Sequence, residues 1–105
     1  MALKSWGIAS FTVDTWTELV VGEAGEETVL FSLLLSNYSA ENEANFSVQH
    51  YAADGTTVNF QWVLGKAVGE TPTALQVPIV VPPGGKIEFK CDVADASVLA
   101  SGEAK

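Results

Sequence analysis

KIEFKCDV, Lys86 to Val93, is the stretch of sequence that decides the fold class. Its apolar residues occupy every second position, and charged residues stand between them. Because successive side chains of a β-strand point to opposite faces of a sheet, this alternation predicts a strand with one buried and one exposed face. The same period recurs from Phe46 to His50 and from Val58 to Leu64. We expect all three rows to line a core between sheets.

Turn signals punctuate the chain about every eight to twelve residues, which is typical of β-sandwiches and barrels. The sequence therefore predicts an all-β fold in one domain, residues 1–105: an antiparallel β-sandwich of about eight strands, either a jelly roll or an immunoglobulin-like sandwich. Residues 65–73 are the longest predicted polar loop. The predicted strands cover residues 5–13, 16–22, 27–37, 44–52, 57–65, 74–81, 86–93 and 96–102.

Three short segments predict how neighbouring strands connect. The Asp54-Gly55 pair is a strong hairpin signal because glycine accepts a positive φ, so the two strands that flank it are predicted to pair antiparallel. Pro82-Pro83-Gly84-Gly85 fits a type II turn in which Gly84 supplies the positive φ. Pro78 has no N–H to donate, so its strand is predicted to lie at a sheet edge or to carry a bulge.

Charge and composition exclude several classes of partner. The 105 residues include thirteen carboxylates, five lysines and no arginine, so the net charge is −8. Nucleic-acid binding relies on basic residues that displace counterions from phosphates, and an anionic membrane surface attracts the same residues. We therefore expect no nucleic-acid partner and no membrane association. The sequence also lacks the ~20 apolar residues of a membrane span and the apolar core of a secretion signal, which predicts synthesis in a cytoplasm.

The residue types that build catalytic and metal sites are scarce. His50 is the sole histidine and ends an apolar row, so we interpret it as a histidine at the rim of the core. Cys91 alternates with apolar residues and is interpreted as a small, inert core residue. Zinc needs three or four histidine or cysteine ligands, and the acidic clusters lack the spacing of a calcium loop. We expect no catalytic residue, no cofactor and no metal, and therefore no enzyme.

One predicted strand departs from the alternation. Residues 27–37, ETVLFSLLLSN, are apolar on both faces: one carries Val29, Phe31, Leu33 and Leu35, and the other carries Leu30 and Leu34. The outer face of a two-layer sandwich meets water, so Leu30 and Leu34 need a cover. Two covers are consistent with the sequence, a loop of the same chain or the same patch on a neighbouring subunit.

Aromatic residues allow a second interpretation of the surface. Five of them are candidates for a platform that stacks against sugar rings, as in carbohydrate-binding modules: Trp6, Trp16, Trp62, Tyr38 and Tyr51. Trp62 alternates with Phe60 and Leu64 and is interpreted as core, whereas Trp6 and Trp16 flank the first predicted turn. Packing is the favoured role because a large aromatic side chain contributes most where it is buried. Glycan binding stays as the alternative.

Four segments, taken in order, carry a resemblance to a known group of proteins. They are a T-x-x-x-L element at Thr15 to Leu19, an apolar strand closing in S-N at Leu33 to Asn37, a P-x-G-x-x-I unit at Pro82 to Ile87, and a terminal strand that ends near S-G-x-E at Ala100 to Glu103. In this order the chain resembles the small β-sandwich accessory and structural proteins of tailed bacteriophages and prophages.

The resemblance implies a structural component of a virion, in the tail, the head-to-tail region or the capsid surface as a decoration protein. Such proteins assemble as symmetric homo-oligomers, contact other virion proteins and have no catalytic activity. The implied location is the virion, after synthesis in the cytoplasm of a bacterial host. We hypothesise that the contact surface includes Trp6, Trp16, Leu30 and Leu34.

Overall fold

The computed structural model describes residues 2–39, 43–67 and 73–104, and these residues form eight β-strands. The all-β class and the number of strands expected from the sequence are confirmed. Within the described ranges, no helix is long and apolar enough to cross a membrane. In chain order the strands are β1 (Ala2–Ile8), β2 (Thr17–Val21), β3 (Thr28–Asn37), β4 (Ala44–Tyr51), β5 (Val58–Ala67), β6 (Thr73–Val81), β7 (Lys86–Cys91) and β8 (Ala96–Ala104).

The strands form two four-stranded antiparallel sheets that pack face to face. Sheet A has the order β1-β8-β3-β6, and sheet B has the order β2-β7-β4-β5. The first strand therefore pairs with the last, the second with the seventh, the third with the sixth and the fourth with the fifth. This nested pairing is that of an eight-stranded jelly roll. The structure thus decides between the two sandwich topologies that the sequence left open.

The core fills the space between the sheets and contains the rows predicted from KIEFKCDV and Phe46–His50. Ile87, Phe89 and Cys91 of β7 are fully buried, as are Phe46 and Val48 of β4. Their burial removes large apolar surfaces from water, which is the main favourable term in folding. Sheet A completes this core with fully buried side chains from β3, β6 and β8: Leu30, Leu33, Leu35, Val81, Ala96 and Ala100.

The turn at Pro82–Gly85 has the predicted geometry. Gly84 has a φ of 85°, and the Gly85 N–H donates to the Pro82 carbonyl at 2.9 Å. Two further hydrogen bonds join this turn to Gly22, which follows β2. A Cβ on Gly84 would overlap the carbonyl oxygen of Ala53, so the position requires glycine for its φ and for its lack of a side chain.

The hairpin between β4 and β5 also matches its sequence signal. Gly55 has a φ of 73°, and the Asp54 carboxylate accepts hydrogen bonds from the Thr57 hydroxyl and from the N–H groups of Thr56 and Thr57. The Thr57 hydroxyl makes the largest contribution, and together these bonds lower the pKa of Asp54 to about 2. The charged carboxylate therefore holds the turn that connects the two strands.

The first strand differs from its prediction. It covers Ala2–Ile8 and not residues 5–13, because the chain leaves the sheet after Ile8. Phe11 extends the apolar pattern without being in a strand: its N–H donates to Ala94, and its buried ring packs edge-on against Phe46 with centroids 6.0 Å apart. A buried aromatic residue in a loop produces the same local sequence signal as a strand residue.

The third strand contains the main correction to the predicted faces. Leu30 is 0% exposed and lies in the core, so its predicted position on the outer face is wrong. The pairing of β3 with β8 shifts between Leu30 and Ser32, and Phe31 is the extra residue of this β-bulge. Against β6 the extra residue lies in β6 itself, beside Pro78. Leu30 and Leu33 consequently both point inward, whereas Phe31 and Leu34 are exposed. Strict two-residue alternation does not anticipate such an insertion.

The fifth strand lines the core only in part. Trp62 packs against the core, but Val58 and Phe60 are exposed, so their predicted core positions are wrong. β5 is an edge strand, and a register shift places Val58 beside the outward-facing Tyr51. The side chain of Leu64 lies outside the described part of the chain.

Both ends of the polar loop predicted at 65–73 belong to strands, because β5 continues to Ala67 and β6 starts at Thr73. Residues 68–72 lie outside the described residues. The prediction for Pro78 is confirmed, since β6 is an edge strand whose register against β3 shifts beside this proline.

Candidate contact surfaces

Sheet A carries an apolar groove on its outer face, which we call the outer groove. Leu34 of β3 and Leu99 of β8 are paired across the two strands, and Leu99 is in turn paired with Gly7 of β1. Gly7 has no side chain, so the sheet surface is low beside Leu99. The result is an open groove of about 490 Å³, lined by Gly7, Ile8, Ala9, Leu34, Ser36, Ser97, Val98 and Leu99.

The leucines of the outer groove are only half covered by their own chain. Leu34 is 40% exposed and Leu99 is 44% exposed, and Phe31 in the bulge of the same sheet is also exposed. No loop within residues 2–39, 43–67 and 73–104 buries this face. The sequence left two alternatives for covering this face, a loop of the same chain or a neighbouring subunit. No such loop occurs in the described ranges.

The outer face of sheet B is different, since a polar cluster occupies its centre. Gln49 of β4 uses its side-chain amide to donate to Glu88 of β7 at 2.8 Å and to the Tyr51 hydroxyl at 2.9 Å. Lys86 lies 3.5 Å from the Glu18 carboxylate and 3.7 Å from Glu88. Gln49 and Glu88 are buried although they lie on the outer face.

The charges in this cluster act on the Tyr51 hydroxyl. A hydrogen bond to Glu88 is the main cause that raises the pKa of Tyr51, followed by burial and by the negative charge of Glu88. The Lys86 ammonium lies 4.5 Å from the centre of the Tyr51 ring, where the electron-rich face attracts a cation. Side chains of the same chain thus satisfy one another at the centre of this face, and its exposed apolar residues, Val21, Val58 and Val63, lie on the two edge strands.

A second apolar concavity, the edge cleft, lies between the two sheets where β5 and β6 form their free edges. It encloses about 450 Å³ and is lined by His50, Phe60, Trp62, Pro78, Ile79 and Val80. The Phe60 and Trp62 rings are 4.6 Å apart and tilted by 53°, and Phe60 is 58% exposed. An aromatic pair, the exposed Phe60 and the half-buried Trp62, therefore borders the cleft.

The histidine in the edge cleft has a structural role. Its Nε2 lies 2.7 Å from the carbonyl oxygen of Val80, and because a carbonyl only accepts, Nε2 carries the proton and donates it. Its Nδ1 then accepts from the Asn59 side-chain amide at 3.4 Å. His50 thereby connects sheet B to the edge strand of sheet A, and its position at the rim of the core is confirmed.

The remaining candidate residues lie apart from one another. Trp6 is on the inward-facing side of β1 and packs partly against the core. Trp16 precedes β2, and its ring lies 4.8 Å from the Lys90 ammonium. Cys91 is buried, and burial raises the pKa of its thiol. The structure therefore does not gather Trp6, Trp16 and Leu34 into one patch, and it places Leu30 in the core.

Several features of these surfaces were not anticipated from the sequence. Leu99 and Gly7 complete the outer groove, but they come from the two ends of the chain and meet Leu34 only through strand pairing. Gln49 and Glu88 alternate as exposed residues do, so nothing local marks them as buried. No group of three or more histidine, cysteine, aspartate or glutamate side chains suited to a metal ion occurs among the described residues.

Comparison with known proteins identifies similar folds. No protein-family model matches the chain, and no curated protein matches it. Among solved structures, a chain of the T13 IBDV viral particle is similar over 94% of this chain, with a TM-score of 0.52 and 11% sequence identity. This chain spans only 31% of the length of that viral chain. At such low identity the similarity shows the fold alone.

Two crystal structures of a pentameric capsid protein isolated from metagenomic phage sequences are weaker matches. Each has a TM-score of 0.40 and 17% identity, and each match covers 92% of this chain. The chain corresponds to 59% of one and 60% of the other. It thus spans less than two thirds of each of the three similar chains.

Proposed function

We propose that this protein is a non-catalytic structural component of a phage or prophage virion that acts through contacts with copies of itself and with other virion proteins. The observation that carries this proposal is an apolar groove on one face of a jelly roll, which the described residues leave uncovered, whereas the centre of the other face is polar and internally paired. The similarity to a chain of the T13 IBDV viral particle supports it at the level of fold. The assigned position is the tail, the head-to-tail region or the capsid surface.

The arrangement of the reactive residue types also favours a structural role. The His50 ring is hydrogen-bonded on both nitrogens, to a carbonyl and to an amide. Cys91 is buried, with a raised thiol pKa that disfavours the reactive thiolate. The Asp92 carboxylate next to the Cys91 thiol adds a negative charge that further disfavours the thiolate.

We assign the outer groove, with Leu34 and Leu99 at its centre, as the principal contact surface. Burying two half-exposed leucines against a partner removes further apolar area from water, at roughly 25 cal/mol per Å². A rigid two-sheet scaffold loses little entropy on association, because its surface is already ordered. Trp6 and Trp16 stay as predicted secondary contacts, whereas Leu30 is withdrawn because the core buries it.

The proposal is tested by locating the protein in particles. Particles of the phage or induced prophage that encodes the chain are purified, and their proteins are identified by mass spectrometry. We expect the wild-type chain in fixed stoichiometry to the major virion proteins and a Leu34→Asp variant to be lost from the particles. Val63→Asp is the matched control, since Val63 is an exposed apolar residue on β5 of the other sheet. Absence of the wild-type chain from particles contradicts the proposal.

One observation supports a second candidate function, carbohydrate binding. The exposed Phe60 and the half-buried Trp62 border the edge cleft, and aromatic rings in a cleft stack against the apolar faces of sugars. A glycan in the cleft is expected to quench tryptophan emission in the wild type but not in Phe60→Ala or Trp62→Phe variants. Emission that stays constant across a glycan panel removes this candidate.

A further inference from the structure

A β-sandwich with open sheets has four edge strands, and here three of them carry features that hinder pairing with another chain. β6 contains Pro78 and a register shift, β2 is five residues long with a shift after Glu18, and β5 has two shifts. Prolines, bulges and short length are the usual protection of sheet edges. These edges are therefore poor sites for adding a strand.

β1 lacks all three features. Ala2–Ile8 pairs with β8 through seven consecutive residues without a register shift and without a proline. Its other side presents main-chain N–H and C=O groups that have no partner strand within residues 2–39, 43–67 and 73–104. A straight edge of this length is a template for another extended segment.

We propose that β1 pairs antiparallel with β1 of a second copy, around a twofold axis at Ser5, and joins the two A sheets into one eight-stranded sheet. This inference rests on the proposed function, for which it names the partner and the mode of self-contact. In an isologous antiparallel pair centred on Ser5, Leu3 lies opposite Gly7 of the other copy, and Lys4 lies opposite Trp6.

The pairing of Leu3 with Gly7 is the main reason for centring the proposed strand pair on Ser5. Leu3 is 80% exposed, the highest value among the large apolar side chains of the described residues. Leu3 and Gly7 both lie on the outer face of sheet A, since they pair with the outward-facing Glu103 and Leu99 of β8. Leu3 of one copy therefore enters the low part of the outer groove beside Gly7 and Leu99 of the other. The twofold axis repeats this contact, so two leucines are covered in each dimer.

Charge favours the same edge. The chain carries a net charge of −8, so most of its surface repels a second copy. β1 contains Lys4 and no carboxylate. In the proposed register Lys4 does not face its own copy but lies beside the Trp6 ring of the partner, where a cation is attracted. In this register no two like charges of the paired β1 strands lie opposite each other across the twofold axis.

A disulfide test addresses the axis directly. Directly opposed residues of antiparallel strands have Cα atoms roughly 4.5–5.5 Å apart, within the usual range for a disulfide. Ser5→Cys is therefore expected to give a disulfide-linked dimer under mild oxidation. Ser101→Cys is the control: Ser101 is exposed on the same face but one strand further from the axis in each copy, too far to bridge. The native Cys91 is buried and does not compete.

The outcomes of the disulfide test are distinct. Cross-linking of Ser5→Cys without cross-linking of Ser101→Cys supports the pairing. Equal cross-linking of both variants reveals random collision, and no cross-linking of either reveals a free edge; both results overturn the proposal.

A size-exchange experiment addresses the register. A Cβ on Gly7 would meet only Val98 O at 3.6 Å and Leu99 Cδ1 at 3.8 Å, so a side chain there fits the isolated chain. Gly7→Leu is expected to raise the dimer dissociation constant by at least about 100-fold, because it occupies the space that Leu3 of the partner fills twice per dimer. Leu3→Gly is expected to have a similar effect, and the double variant to restore dimerisation. A double variant as weak as the single variants overturns the register.

Failure of this inference and failure of the proposed function are distinguishable. A chain that is present in virions but does not cross-link at position 5 keeps the virion role and refutes the edge pairing. A chain that cross-links at position 5 but is absent from virions keeps the edge pairing and refutes the virion role. Wild-type protein with the mass of one chain at millimolar concentration, measured by light scattering, refutes the pairing without the aid of any variant.

Discussion

The outer faces of the two sheets differ although the sheets have the same number of strands and share one core. On sheet B, Gln49, Glu88 and Tyr51 hydrogen-bond or pack with one another, and Lys86 pairs with the nearby carboxylates. On sheet A, Leu34 and Leu99 line a groove that the described residues leave open. The polar groups at the centre of sheet B are paired with one another, whereas the leucines at the centre of sheet A stay half exposed in the described structure. The jelly-roll topology therefore does not determine which outer face exposes apolar surface. The outward-facing side chains of each sheet determine it.

The largest expected change in stability is at Gly102, beside the bulge that directs Phe31 to the outer face of sheet A. The bulge at Phe31 brings the backbone of β3 over Gly102 of β8, where a Cβ would overlap the Val29 carbonyl oxygen and lie 2.9 Å from Leu30 Cα. Because these atoms are main chain and cannot rotate away, we expect Gly102→Ala to lower the free energy of unfolding by about 3 kcal/mol. Urea denaturation measures it.

The control for this prediction is Gly7→Ala in the same sheet, which has room for a Cβ. Its unfolding free energy is expected to stay within about 0.5 kcal/mol of the wild type. Equal effects at the two glycines would mean that the bulge does not constrain Gly102.

The next effect tests whether sheet B is self-sufficient. Glu88→Ala removes one of the two acceptors of the buried Gln49 amide and leaves one of its N–H groups unpaired, so we expect a loss of about 1–2 kcal/mol of unfolding free energy. Glu88→Gln keeps an accepting oxygen and should lose less. If thermal and urea unfolding find Glu88→Ala as stable as the wild type, the cluster does not stabilise the fold.

A smaller change in stability is expected on sheet A, together with a large change in association. Leu34→Ser with Leu99→Ser truncates half-exposed side chains, so the isolated chain should lose only about 1 kcal/mol. Sedimentation velocity should nevertheless show weaker self-association. Val63→Ser, which truncates an exposed residue on β5, should leave association unchanged. Equal association of the double variant and the wild type would remove the outer groove from the contact surface.

The smallest effect is spectroscopic. The hydrogen bond to Glu88 raises the pKa of Tyr51 in the folded chain above its ordinary value of 10.0. The stability that the protonated Tyr51 hydroxyl contributes is therefore complete below pH 10.0 and is lost as the pH rises through the raised pKa. Ultraviolet titration of a Tyr38→Phe variant should show Tyr51 ionising above pH 10, and Glu88→Gln should return it toward the ordinary value. Titration at the ordinary value in the presence of Glu88 would contradict the contact.

Local sequence patterns predicted much of the fold. Alternation in KIEFKCDV identified β7, and turn chemistry placed the hairpin at Asp54-Gly55 and the turn at Gly84, because φ preferences and side-chain direction are properties of one short segment. The same method misplaced β1, since Phe11 is buried from a loop. It also put Leu30 outside, since a one-residue bulge reverses the faces of the residues before it relative to those after it, and Leu30 comes before the bulge.

The sequence by itself determined that the chain builds antiparallel sheets with a surplus of leucine in β3, because a two-residue period admits little else. Only the tertiary structure decided which of these leucines lie in the core and which lie on the outer face of sheet A. It moved Leu30 into the core and left Leu34 outside, and it brought Gly7 and Leu99 from opposite ends of the chain to complete the groove. Pairing between strands far apart in sequence sets these positions, and no local pattern encodes such a register.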